Sequence, residues 1–93
     1  GAPEAKRLEK EQAIELRIVA AGARRDLGEI EAAIVTLQTN DLNVENDSWA
    51  IRLRYAYADA LDAAGREADA RKWFKKCAEI DLEGTTDAAS RCA

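Results

Sequence analysis

The chain has 93 residues, 47 % hydrophobic and 34 % charged, with 14 basic against 18 acidic side chains and a net charge of −4. This is room for one domain with a thin core, since a chain so short buries only about 60–65 % of its unfolded surface. The acidic balance works against a sequence-independent grip on nucleic acid or an anionic membrane, no uncharged run exceeds Ala32–Asn40, and the absence of His removes the commonest general base and metal ligand.

Twenty alanines against five aromatic residues favour close-packed helices over a sheet. No Met occurs, so Gly1 is not a translation start; the Gly-Ala-Pro opening is expected to be a cloning or cleavage remnant, and the chain a piece of something longer. The first helix is predicted from Pro3–Glu4, with Leu16, Val19, Ala20, Ala23 and Leu27 as its packed stripe. Gly22 interrupts it at a propensity cost of about 1 kcal/mol, marking a close contact or a kink. Gly28 ends that helix, and a second starts within two residues, with Ile30, Ala33, Ile34 and Leu37 on one side. The polar cluster 40–48 joins this pair to the next and is expected to cap a third helix beginning near Trp49. That helix packs through Leu53, Tyr57, Ala60 and Leu61 up to Gly65, and a fourth follows through Ala70, Phe74 and Cys77. Gly84-Thr-Thr-Asp stops the fourth helix and caps a short fifth over Asp87–Cys92.

The chain also matches itself. A shift of 37 residues lays Ala13 on Ala50, Ile14 on Ile51, Leu16 on Leu53, Arg17 on Arg54, Ala21 on Ala58, Ala23 on Ala60, Gly28 on Gly65 and Ala33 on Ala70. Alanine abundance explains part of this, but not the paired glycines or the Ile-x-Leu-Arg matches, so an internal repeat is read.

These hairpins resemble tetratricopeptide repeats. The second unit carries the resemblance through Ala58, Leu61, Gly65, Ala70, Phe74 and Cys77, the first through Ala21, Gly28, Ala33 and Leu37. Arg17 and Arg54 stand where the family commonly has a bulky apolar residue, and neither unit ends in the usual Pro. The resemblance implies an all-α fragment of an α-solenoid. Repeat one covers about 13–47, repeat two about 48–83, and a capping helix about 86–92. Repeat arrays usually need three or more units, so the apolar end is covered by Asp87–Ala93, by a symmetry mate or by missing chain.

Family members usually bind peptides along the concave row of their first helices. Here that row is Glu15, Ile18, Gly22 and Arg25, then Arg52, Tyr55, Asp59 and Asp62. Arg52 beside Tyr55 makes an anchor of a planar cationic fork and a polar-tipped aromatic. A solvated face of local ion pairs is the alternative. Members that bind chaperone tails use Asn and Lys at matching places; Gly22 and Asp59 occupy the Asn positions, so that specificity is not implied.

Other features point to no chemistry. Arg71, Lys72, Lys75 and Lys76 lack the interleaved aromatics or Gly-rich loop of a phosphate site. Ser48 and Ser90 have no activating motif. No carboxylate pair sits among apolar neighbours that would raise a pKa. Cys77 and Cys92 lack metal-ligand spacing and are expected to be reduced packing residues of a cytoplasmic chain. The composition fits a bacterial, GC-rich source. The sequence therefore reads as a non-catalytic scaffold without cofactor or metal, binding a protein or peptide and neither nucleic acid nor membrane. A homodimerising or regulatory appendage is the alternative.

Overall fold

The computed structural model describes residues 2–93. Five helices follow in chain order: α1 (Ala2–Asp26), α2 (Ile30–Leu37), α3 (Ser48–Ala63), α4 (Glu67–Ile80) and α5 (Ala88–Arg91), with a 3-10 turn at Asn40–Asn43 between α2 and α3. No strand occurs among the described residues. Consecutive helices pack on each other as the hairpins α1–α2 and α3–α4, and α3 also meets α1 and α2.

The two hairpins close on one and the same turn. At the first, the Gly28 N–H donates to the Arg25 carbonyl (2.9 Å) and the Glu29 N–H to the Arg24 carbonyl (2.8 Å). At the second, Gly65 donates to Asp62 (3.0 Å) and Arg66 to Leu61 (2.9 Å). This is the Schellman arrangement, which satisfies carbonyls that the end of a helix leaves open. It needs a residue at positive φ, and Gly28 and Gly65 stand at +79° and +80°. The matched glycines of the sequence are matched turns.

The core lies around α3. That helix buries Trp49, Ala50, Leu53, Tyr57, Ala58, Ala60 and Leu61, because hairpin α1–α2 covers one side of it and α4 another. Alanines at 50, 58 and 60 let those neighbours come close. From α4 come Ala70, Phe74 and Cys77, as the periodicity predicted, and Ala88 seats α5. Trp73 is half-buried, its ring edge-on to Tyr57 with centroids 5.2 Å apart. The buried indole N–H of Trp49 has no acceptor among the described residues.

Arg17 and Arg54, paired by the 37-residue shift, each tie the first helix of a hairpin to the end of the second. Arg17 Nη1 donates to the Thr36 carbonyl (2.7 Å), and Arg54 Nη1 to the Lys76 carbonyl (2.7 Å). Arg54 is buried and donates also to the Leu42 (3.0 Å) and Val44 (3.2 Å) carbonyls. Cations suit the negative end of a helix, which explains Arg where an apolar residue was expected.

Three expectations need correction. First, α1 buries Ile14 and Ala21, with Ile18 half-buried, whereas Leu16, Val19, Ala23 and Leu27 face outward. The helix carries two apolar stripes on nearly opposite sides, and α2 and α3 cover only one. Second, Asp47 precedes α3, but its carboxylate caps nothing; the turn closes on the Ala50 N–H and the Asp47 carbonyl (3.0 Å). Third, α5 is one turn, Ala88–Arg91, rather than 86–92, because residues 81–87 form a loop organised by Asp81. The Asp81 carboxylate accepts from Thr85 N (2.8 Å), Thr85 Oγ1 (2.9 Å), Thr86 N (2.8 Å) and Thr86 Oγ1 (2.7 Å). The Thr86 hydroxyl in turn accepts from Ala88 N (3.2 Å) at the start of α5.

Candidate functional site

The structure gathers the polar residues of the row read from the sequence into two clusters, one between α1 and α3 around Arg52 and one across α1, α3 and α5 around Asp59 and Arg91. Arg52 Nε donates to Glu15 Oε1, and its Nη2 to Glu11 Oε1 (3.3 Å). Arg25 Nη1 donates to Asp59 Oδ2 (2.8 Å). The other Asp59 oxygen accepts from Arg91 Nη1 (3.0 Å), and Arg91 Nη2 reaches Asp62 Oδ2 (3.2 Å). Tyr55 accepts from Arg91 (3.0 Å) and donates to Asp87 Oδ1 (2.6 Å). Ile18 packs against the core, and Gly22 is exposed with open space around its α-carbon.

Arg91 is the residue that sequence reasoning missed. Its guanidinium lies 4.2 Å from the Phe74 ring centroid and 5.6 Å from that of Tyr55, in cation–π geometry. The only local signal was a lone cation on the short fifth helix, complementary to the unit-two carboxylates Asp59 and Asp62. Burial pushes the Asp59 carboxyl up, but hydrogen bonds from Arg25 and Arg91 outweigh that and hold it below its usual range. Burial works to lower Arg91, and its bonds to Tyr55 and Asp59 overcome this and raise it. The hydrogen bond to Asp87, then burial, raises the Tyr55 hydroxyl. These shifts keep each member in the charge state its partners need. A peptide entering the row would have to replace bonds the chain already makes with itself.

Chemistry elsewhere is sparse. Among the described residues no group of three or more His, Cys, Asp or Glu side chains is placed to hold a metal ion, and no helix is long and apolar enough to cross a membrane. Hydrogen bonds from the Thr86 hydroxyl and the Thr85 and Thr86 amides hold Asp81 at about 2 despite its burial, the opposite of what an acid catalyst needs. Ser90 Oγ donates to the Asp87 carbonyl (2.8 Å), and Ser48 is exposed. The ammonium of Lys76 sits over Trp73, 5.2 Å from its centroid. Both cysteines are free: burial pushes the Cys77 thiol up, and Cys92 Sγ donates to the Ala89 carbonyl (3.2 Å).

A second surface stands out by exposure. Leu8, Leu16, Val19 and Leu27 are 57 %, 70 %, 67 % and 74 % exposed on the outer face of α1, and with Gln12 and Ala23 they recur at steps of four, four, three, four and four. Leu8 and Leu16 border a shallow groove with Glu11, Gln12 and Glu15. The 37-residue shift places Leu16 on Leu53 and Ala23 on Ala60, both fully buried in α3. The same positions are therefore covered in one helix and bare in the other.

No family model matches the chain, and neither a curated protein nor a solved structure does.

Proposed function

We propose that the chain is a protein–protein interaction module of two tetratricopeptide-like hairpins with a short capping helix, acting in the cytoplasm without cofactor or catalysis of its own. The shared Schellman turns, the 37-residue register and the buried alanines at 21, 33, 58 and 70 support the repeat reading. The observation that carries the function is the outer face of α1, where Leu8, Leu16, Val19 and Leu27 are exposed along one stripe, interrupted by Gln12. That face is a better docking surface than the row of Glu15, Arg52, Tyr55 and Asp59, whose polar groups are already paired within the chain. Photo-crosslinking in the cell tests this. A photoreactive residue replacing Val19 should give protein adducts, while one replacing Tyr55 should give few. Adducts from position 55 alone, or none from position 19, refute the reading.

A further inference from the structure

We infer that Tyr55, Asp59, Asp62 and Phe74 form a guanidinium-binding box, filled in the resting chain by Arg91 and taken by an arginine of a partner peptide when α5 lifts. This goes beyond the α1 surface and does not depend on it.

The chemistry of the box is read from what fills it. Arg91 Nη1 donates to Asp59 Oδ1 and to the Tyr55 hydroxyl, both at 3.0 Å, and Nη2 donates to Asp62 Oδ2 at 3.2 Å. The central carbon of the same guanidinium stands over the Phe74 ring, 4.2 Å from its centroid. Two nitrogens are thus served by two carboxylates one helical turn apart, with an aromatic ring beneath them. A lysine ammonium is a single point and cannot meet both carboxylates and the ring together. The box therefore selects a planar fork over a general cation.

None of its walls belongs to α5. Tyr55, Asp59 and Asp62 come from α3 and Phe74 from α4, and the Tyr55 and Phe74 rings stand edge-on with centroids 5.4 Å apart. Arg25 of α1 holds Asp59 Oδ2 at 2.8 Å, which leaves Oδ1 for the box. With Arg91 withdrawn these walls keep their own supports. A site built in advance spends little on ordering when a ligand enters.

The present occupant is lightly held. The helix α5 is one turn long, with Ala88 its single buried side chain, and a lone turn of helix is not stable by itself. Asp81 closes the preceding loop on Thr85 and Thr86, so lifting beyond Asp87 disturbs neither hairpin. It breaks the Arg91 contacts, the Tyr55–Asp87 bond and the Ala88 seat.

What lifting leaves behind favours an incoming cation. Asp59 keeps Arg25, while Asp62 loses the cation paired with its carboxylate. A cleft of about 230 Å³ adjoins the box, where Asp62 and Glu67 would then face one remaining cation, Arg71. The cleft gives room for the residues that flank a partner's arginine, and an arginine-bearing peptide matches the site in charge and shape. The closed strap is the resting state, in keeping with few photo-adducts from position 55.

Nuclear magnetic resonance on the full chain tests this with the peptide acetyl-Ala-Ala-Ser-Arg-amide and its Lys and citrulline counterparts. Arg91→Ala empties the box. It should keep the wild-type circular dichroism and bind the Arg peptide at least about tenfold more tightly than wild type does, shifting the Tyr55 and Phe74 ring signals. The Lys and citrulline peptides should bind at least about tenfold more weakly than the Arg peptide, and adding Asp62→Asn should abolish that preference. Hydrogen exchange on the wild type needs no variant: the Arg91 and Cys92 amides should exchange at least about a hundredfold faster than those of Ala58–Leu61. A folded Arg91→Ala chain indifferent to the Arg peptide, equal binding of the Lys peptide, or α5 amides as protected as those of α3 overturns the inference.

Discussion

Replacing Asp81 by Asn tests the loop that seats α5. The carboxylate is only 8 % exposed and accepts four hydrogen bonds, two per oxygen, from Thr85 and Thr86. Asn keeps one acceptor and turns an NH₂ toward the donors that the other oxygen served. The hydrogen bonds hold the carboxyl at about 2 against an ordinary 3.8. Each pH unit of separation is worth about 1.4 kcal/mol, and a discount for screening at the edge of so small a fold leaves about 1–2 kcal/mol. Because the folded value is depressed, this stabilisation is fully present above pH 3.8 and is lost as pH falls through about 2. Urea denaturation of both chains should show the variant's midpoint about 1 M lower at neutral pH, with an unchanged slope. The gap should shrink to about a third by about pH 2.5. Equal midpoints at neutral pH, or a gap that does not change with acid, would show that Asp81 does not organise the loop.

The remaining predictions concern packing and turns. Ala58 is fully buried, so Ala58→Leu should overpack α3 and cost about 1–3 kcal/mol in urea denaturation; a neutral result would mean that the site has room. Two glycine-to-alanine changes should have opposite signs by thermal melting. Gly65→Ala, at φ +80°, should destabilise by about 1 kcal/mol, and Gly22→Ala, mid-helix with open space around it, should stabilise by a similar amount. In thiol titration without reductant, Cys92 should react in the native protein and the buried Cys77 only after unfolding, where burial no longer raises its pKa.

What the sequence disclosed was local. Gly28 and Gly65 announce their turns because a positive-φ helix stop is written in one residue, and the α4 stripe of Ala70, Phe74 and Cys77 is buried as its period implied. For α1 the period was present twice. Leu16, Val19 and Leu27 form as good a stripe as Ile14, Ile18 and Ala21, and only the placement of α2 and α3 decides between them. In α3 the corresponding ambiguity did no harm, since neighbours cover both sides of that helix. The row of Arg25, Asp59 and Asp62 was found as a row, but its role as the seat of Arg91 depends on contacts spanning 29 and 32 residues, which no local spacing encodes. Asp81 was missed for a related reason: one carboxylate four residues before two threonines looks like any polar loop until the chain bends back on it.

The three-carbonyl grip of Arg54 has a mechanical consequence. Its guanidinium holds Leu42 and Val44 of the connecting segment and Lys76 of α4 at once, from a buried position on α3. The segment between the hairpins is the natural place for a hinge, being the longest stretch without α-helix inside the fold. Riveted at two points to the helix it leads into, it cannot flex without stripping a buried cation of its acceptors, a cost of several kcal/mol. The later half of the connecting segment is therefore fixed to the second hairpin, and any motion of α1–α2 against α3–α4 has to be taken up before Leu42.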